Sequence, residues 1–122
     1  QGVSSAASDV YKRQRQHRLH RSADLRHTMR RGRRFVIPEA VISLISTTET
    51  PTRIGVITPK IVGNSVIRHR VARSIRHAGA RFIVEHPARL DVVVKAQSGA
   101  DQLSVEDWFS VLQTAAEKVE HK

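Results

Sequence analysis

Residues 64–79 read "NSVIRHRVARSIRHAG": four arginines and two histidines, no acidic residue, and Val66, Ile67, Val71 and Ile75 set between the charges. A flexible basic tail has no use for those apolar side chains, and a fully buried helix would not carry the cations. The segment predicts an amphipathic helix from about Val66 to Glu85. Ile67, Val71, Ile75, Ala78 and Phe82 recur at three- and four-residue spacings, a stripe about 80° wide at 100° per residue. Asn64 or Ser65 can cap its start, and the helix should end before Pro87. Gly79 reads as a local weakness of about 1 kcal/mol. Measured around the axis from Arg68, the other cations (Arg76, His69, Arg73, His77, Arg70, Arg81) fan from about 80° to about 220°. The apolar stripe lies on the remaining side. The helix should therefore dock through its stripe and present its basic groups outward.

Working outward, the flanking segments supply the surface on which it docks. "RIGVIT" (53–58) reads as a strand ended by Pro59, with "KIVGN" as a connecting loop. Phe35 to Thr47 reads as extended chain interrupted by Pro38, since "AVISLIST" is rich in β-branched residues. Thr48 to Thr52 reads as a polar turn. "LDVVVKA" (90–96) is a further strand. "RSADLRHTMRRG" (21–32) predicts a short helix with Ser22 as N-cap, Leu25 and Met29 on one face, and Gly32 just past its end. A last helix begins near Ser104, where Ser104 and Asp107 form a near capping box. Its stripe is Val105, Trp108, Phe109, Leu112, Ala116 and Val119. Two amphipathic helices and a mixed sheet make an α+β two-layer sandwich.

The chain has 122 residues and 39% hydrophobic content, enough for one domain with a modest core. Its formal net charge is +10. Residues 12–34 hold ten Lys/Arg and one acid, residues 53–81 hold seven and none, and residues 82–122 hold four against seven acids. Charge concentrated in two blocks points to a polyanionic partner. There is no cysteine, which excludes disulfides and thiolate metal sites. No apolar run approaches the roughly 18 residues of a membrane span, and the reading is a cytoplasmic protein. Residues 1–14, "QGVSSAASDVYKRQ", are polar and aperiodic and read as a non-native or disordered leader to a domain at 15–122.

The stretch from Lys60 to His77 resembles the signature of the protein subunit of bacterial ribonuclease P, approximately K-x-x-G-x-A-V-x-R-N-R-x-K-R-x-x-R-E. Lys60, Gly63, Val66, Arg68, Arg70, Arg73 and Arg76 match. "RLHRSADLRHTMRRGRR" (18–34) is similar to the family's opening R-L-x-x-S-x-D-F. "RIGVIT" resembles its R-x-G strand and "LDVVVKA" its D-x-V strand. The resemblance covers about residues 15–120. It implies the order α-β-β-β-α-β-α, with Phe35–Ile37 as the first strand, and a four-stranded mixed sheet. It also implies a left-handed β-α-β crossover through the basic helix, the ribosomal-protein-S5-domain-2-like fold, where the general rule gives the opposite hand.

The resemblance further implies an RNA-based endoribonuclease. Its catalytic RNA, with Mg²⁺ held through RNA phosphates, cuts the 5′ leader from precursor tRNA. The protein subunit carries no catalytic residue and binds no cofactor by itself. Lys60, Gly63, Asn64, Arg68, His69, Arg70, Arg73, Arg76 and His77 would contact the RNA subunit. Leu25, Met29, Val41 and Ser43 would face the single-stranded leader, in a cleft between the basic helix and the sheet. Arg18, Arg21, Arg30, Arg31, Arg33 and Arg34 would add further basic contacts. Arginine suits this work because its planar fork holds phosphate oxygens in pairs.

The chain departs from the family pattern at several points. His69 replaces the central Asn of R-N-R, and Ala72 and Ser74 replace frequent basic residues. His77 replaces an acid, and Pro59 and Ile61 leave Lys60 as the single lysine of its loop. Leu25 and Met29 stand where the family usually has two phenylalanines, and they can pack but not stack on bases.

Other chemistries are weakly supported. His17, His20 and His27 cluster, but among ten Lys/Arg and without cysteine or a carboxylate cluster they make a poor zinc site. Asp24, Glu39 and Glu85 form no acid–base pair. Alternatives are a structural RNA-binding protein of ribosomal type, a protein-only nuclease using Asp24 and histidines, and a membrane-surface binder. The last is weakened by a helix stripe whose single large aromatic is Phe82. Neither a membrane nor a small-molecule substrate is an expected partner.

Overall fold

A computed structural model describes Arg18, Leu19 and residues 21–86 and 88–120. The 1–14 stretch read as a leader, and His17 and His20, lie outside the described residues. Seven main elements follow in the order α1 (Ser22–Arg31), β1 (Arg33–Ile37), β2 (Ala40–Pro51), β3 (Arg53–Ile57), α2 (Ser65–Glu85), β4 (Ala88–Ala96) and α3 (Val105–Glu120). Single 3₁₀ turns occupy Lys60–Val62 and Ala100–Gln102.

The four strands form one mixed sheet in the order β1-β2-β4-β3. β1 and β2 make an antiparallel hairpin around Pro38 and Glu39, with Ile37 opposite Ala40. β4 enters between β2 and β3, antiparallel to the first and parallel to the second. This position explains its near-continuous apolar run. Val92, Val93 and Val94 are all fully buried, as a central strand covered on both faces requires.

The same strand order corrects the reading of Thr48 to Thr52 as a turn. β2 does not fold back on β3. It runs on beside β4 as far as Pro51, which lies opposite Ala88, with a register shift between Ser46 and Pro51. Thr52 alone links the two strands. Proline is tolerated there because it closes the strand and follows the irregularity.

One sheet face carries the main core. Ala40, Ile42 and Leu44 of β2, Ile54 of β3, and Leu90, Val92, Val94 and Ala96 of β4 meet two helices. From α2 come Val71, Ile75, Ala78 and Phe82, and from α3 come Trp108, Leu112, Ala115 and Ala116. Full burial of Phe82 alone contributes about 1.5–3 kcal/mol. The predicted stripe of α2 is thus the docking face, with Ile67 half-buried at its upper end. The stripe of α3 holds likewise, except that the side chain of Val119 lies outside the described ones.

Gly79 has a role that its helix propensity hides. It is buried, and a Cβ there would stand 2.8 Å from Cδ1 of Ile54. The missing side chain lets α2 sit close on β3. Helix ends follow local chemistry. Asn64 Oδ1 accepts from the Ile67 amide at 3.0 Å. The Ser104 amide donates to Asp107 Oδ2 at 3.0 Å, and the Asp107 amide donates to Ser104 Oγ at 3.1 Å, a reciprocal capping box. Ser22, by contrast, is the first helical residue and not the cap. Arg21 takes the cap position with no side-chain bond. The entry of the chain is set instead by Leu19, which is 2% exposed and donates its amide to the Ile54 carbonyl at 3.0 Å.

α1 covers the second face of the sheet. A Cβ on Gly55 would fall 2.4 Å from Cδ2 of Leu25 and 2.7 Å from the Leu19 carbonyl oxygen, so the glycine is what lets this layer approach. Three charged residues lock the same face. Arg53 donates Nε to Asp91 Oδ1 at 3.0 Å and Nη2 to Oδ2 at 2.8 Å, and its Nη1 lies 3.7 Å from Asp24 Oδ2. Asp91 is 5% exposed. The Arg53 guanidinium is held above its ordinary range, chiefly by the hydrogen bond to Asp91, against the opposing cost of burial.

Candidate nucleic-acid interface

The basic surface begins at the turn before α2. Gly63 has φ +153°, a conformation that residues with a Cβ rarely adopt, and a Cβ there would meet Ile67 Cγ2 at 2.9 Å. Its amide donates to the Lys60 carbonyl at 3.2 Å, which leaves the exposed Lys60 side chain at the mouth of the helix. Gly63 therefore shapes the turn. Asn64 is partly committed to capping through its side-chain oxygen.

Along α2, His69, Arg70, Arg73, Arg76 and His77 are exposed and Arg68 is half-buried. The predicted outward fan holds for these six. Arg81 does not join them. Its Nη1 donates to Glu106 Oε1 at 2.5 Å, and its guanidinium lies 4.3 Å from the Phe109 ring centroid, so it bridges α2 to α3.

Arg68, His69 and Arg76 line an open groove of about 420 Å³ together with Ser65, Ala72, Thr58 and Arg18. Arg18 arrives from the other basic block because residues 18 and 19 run parallel beside β3, with Arg18 bridged to Ile54. The two basic blocks of the sequence thus meet at one place. Arg68 Nε is buried and has no hydrogen-bond partner among the described residues. Arg76 is held below its ordinary range, first by burial and then by the charge of Arg18. Among the described residues no carboxylate lines the groove. The guanidiniums and hydroxyls that line it suit an anion with several acceptor oxygens.

The remaining basic candidates, Arg21, Arg30, Arg31, Arg33 and Arg34, are exposed on or beside α1 and β1, and none lines the groove. Arg34 Nη2 reaches the Met29 carbonyl at 3.4 Å. The four leader candidates share the α1 side of the sheet, because Val41 and Ser43 alternate with the core residues Ala40, Ile42 and Leu44. Leu25, Met29 and Val41 are half-buried, and Ser43 is 2% exposed. Ile54, Val71, Ile75 and Ala78 pack between α2 and the sheet face, and none of the four leader candidates lines the groove that opens between α2 and the β3 edge. Among the described residues no group of three or more His, Asp or Glu could hold a metal ion, and no helix is long and apolar enough to cross a membrane.

The family model for ribonuclease P matches residues 14–120. The chain belongs to the bacterial ribonuclease P protein family. It is 33% identical over 107 residues to the ribonuclease P protein component of Mycolicibacterium gilvum (strain PYR-GCK), covering 85% of this chain and 86% of that protein. It is 41% identical over 92 residues to the ribonuclease P protein component of Rhodococcus erythropolis (strain PR4 / NBRC 100887), covering 68% of this chain and 72% of that one. The crystallised RNase P protein of Staphylococcus aureus has the same fold, with a TM-score of 0.70 at 21% identity over 84% of this chain and 94% of its own.

The family's motif residues now divide by role. Arg68, Arg70, Arg73 and Arg76 face out along α2. Asp24, Arg53 and Asp91, each from a different motif, converge on one ion-paired cluster that holds α1 to the sheet. Sequence reasoning missed both the cluster and the meeting of Arg18 with α2. Each depends on which strands are neighbours.

Proposed function

We propose that this chain is the protein subunit of ribonuclease P and takes part in 5′ maturation of tRNA. The exposed face of α2, with the groove at its N-terminal half, contacts the RNA subunit. The α1 side of the sheet, with Leu25, Met29 and Val41, is the surface for the single-stranded leader of precursor tRNA. In this reading the RNA performs the cleavage, and Mg²⁺ is held by RNA phosphates. Among the described residues, the carboxylates of Asp24 and Asp91 are drawn to Arg53. The protein's contribution is binding and orientation.

The observation that carries this reading is the convergence of Arg18, Arg68 and Arg76 on one groove beside Arg70 and Arg73. Such a face binds polyphosphate by releasing counterions, so affinity should fall steeply with salt. Titration of ribonuclease P RNA against the protein from 0.05 to 0.2 M salt tests it. With about five phosphates neutralised, affinity drops roughly 100-fold over that range. A salt-insensitive interaction would contradict the proposal. Equal affinity for ribosomal RNA, with no preference for the ribonuclease P RNA, would favour the structural RNA-binding alternative.

A further inference from the structure

We propose that Lys95 is a leader-binding residue of this chain: it stands in an open row across the sheet with Val36, Val41 and Ile57, and it holds a phosphate of the single-stranded leader while the aliphatic side chains pack under the strand. The inference rests on the reading of the α1 side of the sheet as the leader surface.

Strand register places these residues. On the α1 side of the sheet, side chains stand in rows across the strands, because directly paired residues share a face. In one row Arg53 pairs with Asp91 and Asp91 with Ile45, and the ion pair closes it. In the next row Gly55 pairs with Val93, Val93 with Ser43 and Ser43 with Arg34. Its centre is covered, with Val93 fully buried and Ser43 nearly so. In the third row Ile57 pairs with Lys95, Lys95 with Val41 and Val41 with Val36. Here the cover ends. Val36 is 65% exposed, Lys95 is exposed, and Val41 and Ile57 are half-buried. Three interstrand steps of about 4.8 Å make the row about 14 Å long. At its β3 end Ile57 is followed by Thr58, which lines the basic groove beside α2.

Among the described residues Lys95 forms no ion pair. Asp91 shares its face of β4 but stands about 13 Å away along the strand, and it is held by Arg53. Glu39, in the hairpin turn, has its Cγ 3.7 Å from the place that a Cβ on Gly99 would take. An unpaired ammonium flanked by aliphatic side chains on an open sheet face complements a nucleic-acid strand. The charge takes a phosphate oxygen, and the methyl groups cover sugar and base. The row carries no aromatic ring, and Leu25 and Met29 cannot stack on bases either. The grip is therefore on the leader's backbone and not on the identity of its bases.

The holoenzyme, reconstituted from ribonuclease P RNA and this protein, tests the inference through its affinity for precursor and mature tRNA. Lys95→Ala is expected to weaken precursor binding about fivefold. It should also lower the salt slope for the precursor by about 0.7, the value for one single-strand phosphate. Binding of mature tRNA, which has no leader, should not change. On a precursor with neutral methylphosphonates in its leader, wild type and Lys95→Ala should bind alike. Exchange of the leader bases at constant length should shift wild-type affinity by less than about twofold. An unchanged precursor affinity and slope in Lys95→Ala, an equal loss for mature tRNA, a difference that persists on the methylphosphonate leader, or a base exchange as costly as the loss of the lysine would each overturn the inference. A wild-type holoenzyme that binds precursor and mature tRNA equally would overturn the leader reading itself.

Discussion

Replacing Arg68 and Arg70 together by alanine is expected to weaken binding of the ribonuclease P RNA subunit by at least about tenfold at 0.1 M salt. It should also reduce the slope of log affinity against log salt by about 1.4–1.8, the value for two lost phosphate contacts. The two residues present the charge differently. Arg70 is exposed on α2, whereas Arg68 is half-buried with its Nε in the groove wall. Among the described residues neither pairs with a carboxylate, so the change releases no internal acid and leaves the fold's own ion pairs intact. Charge-assisted hydrogen bonds to phosphate contribute roughly 1.5–3 kcal/mol each, which makes a tenfold loss a lower bound. Binding measured at four or more salt concentrations, with thermal unfolding as a control, gives both quantities. An unaltered slope would remove α2 from the interface.

The largest effect on stability is expected at Asp91. Asp91→Ala leaves the Arg53 guanidinium partly buried beside a single, more distant carboxylate, Asp24 at 3.7 Å. Removing one partner of a buried ion pair costs about 3–5 kcal/mol. Because the Arg53 side chain keeps 23% of its exposure, the lower part of that range, about 3 kcal/mol, is expected. That is a large share of the 5–15 kcal/mol of a typical domain. The loss should fall on the packing of α1, since Asp24 and Leu25 both meet this part of the sheet. Urea unfolding gives the number, with an unchanged m-value showing that the transition is the same one. The double variant Arg53→Met with Asp91→Leu should recover much of the loss, because a matched apolar pair no longer needs the salt bridge. A destabilisation below about 1 kcal/mol by Asp91→Ala would show that the cluster does not hold the layer.

These two predictions fall on opposite sides of what could be read without coordinates. The α2 helix was legible because its information is local. The apolar period, the Asn64 cap and Pro87 bound it to 66–85, against Ser65–Glu85 observed. The Ser104–Asp107 capping box was legible for the same reason. Long-range pairing was not. Nothing local says that β4 inserts between β2 and β3, and two misreadings and one omission follow from that gap. Thr48 to Pro51 looked like a turn because the partner that keeps it extended lies about forty residues on. Gly79 looked like a defect because Ile54 was not known to lie against it. Arg53 and Asp91 carry no local sign of their pairing, although they stand side by side on parallel strands. The groove was half legible. Helical geometry put Arg68, His69 and Arg76 on the outer side of α2, and only the bridge of Arg18 to Ile54 joined the second basic block to them.

Cleavage of precursor tRNA by bacterial ribonuclease P RNA at low Mg²⁺, with and without this protein, tests the central claim most directly. The account predicts no cleavage by the protein alone, little by the RNA alone, and strong stimulation when the two are combined. Cleavage by the protein without the RNA, or no stimulation of the RNA, would contradict it.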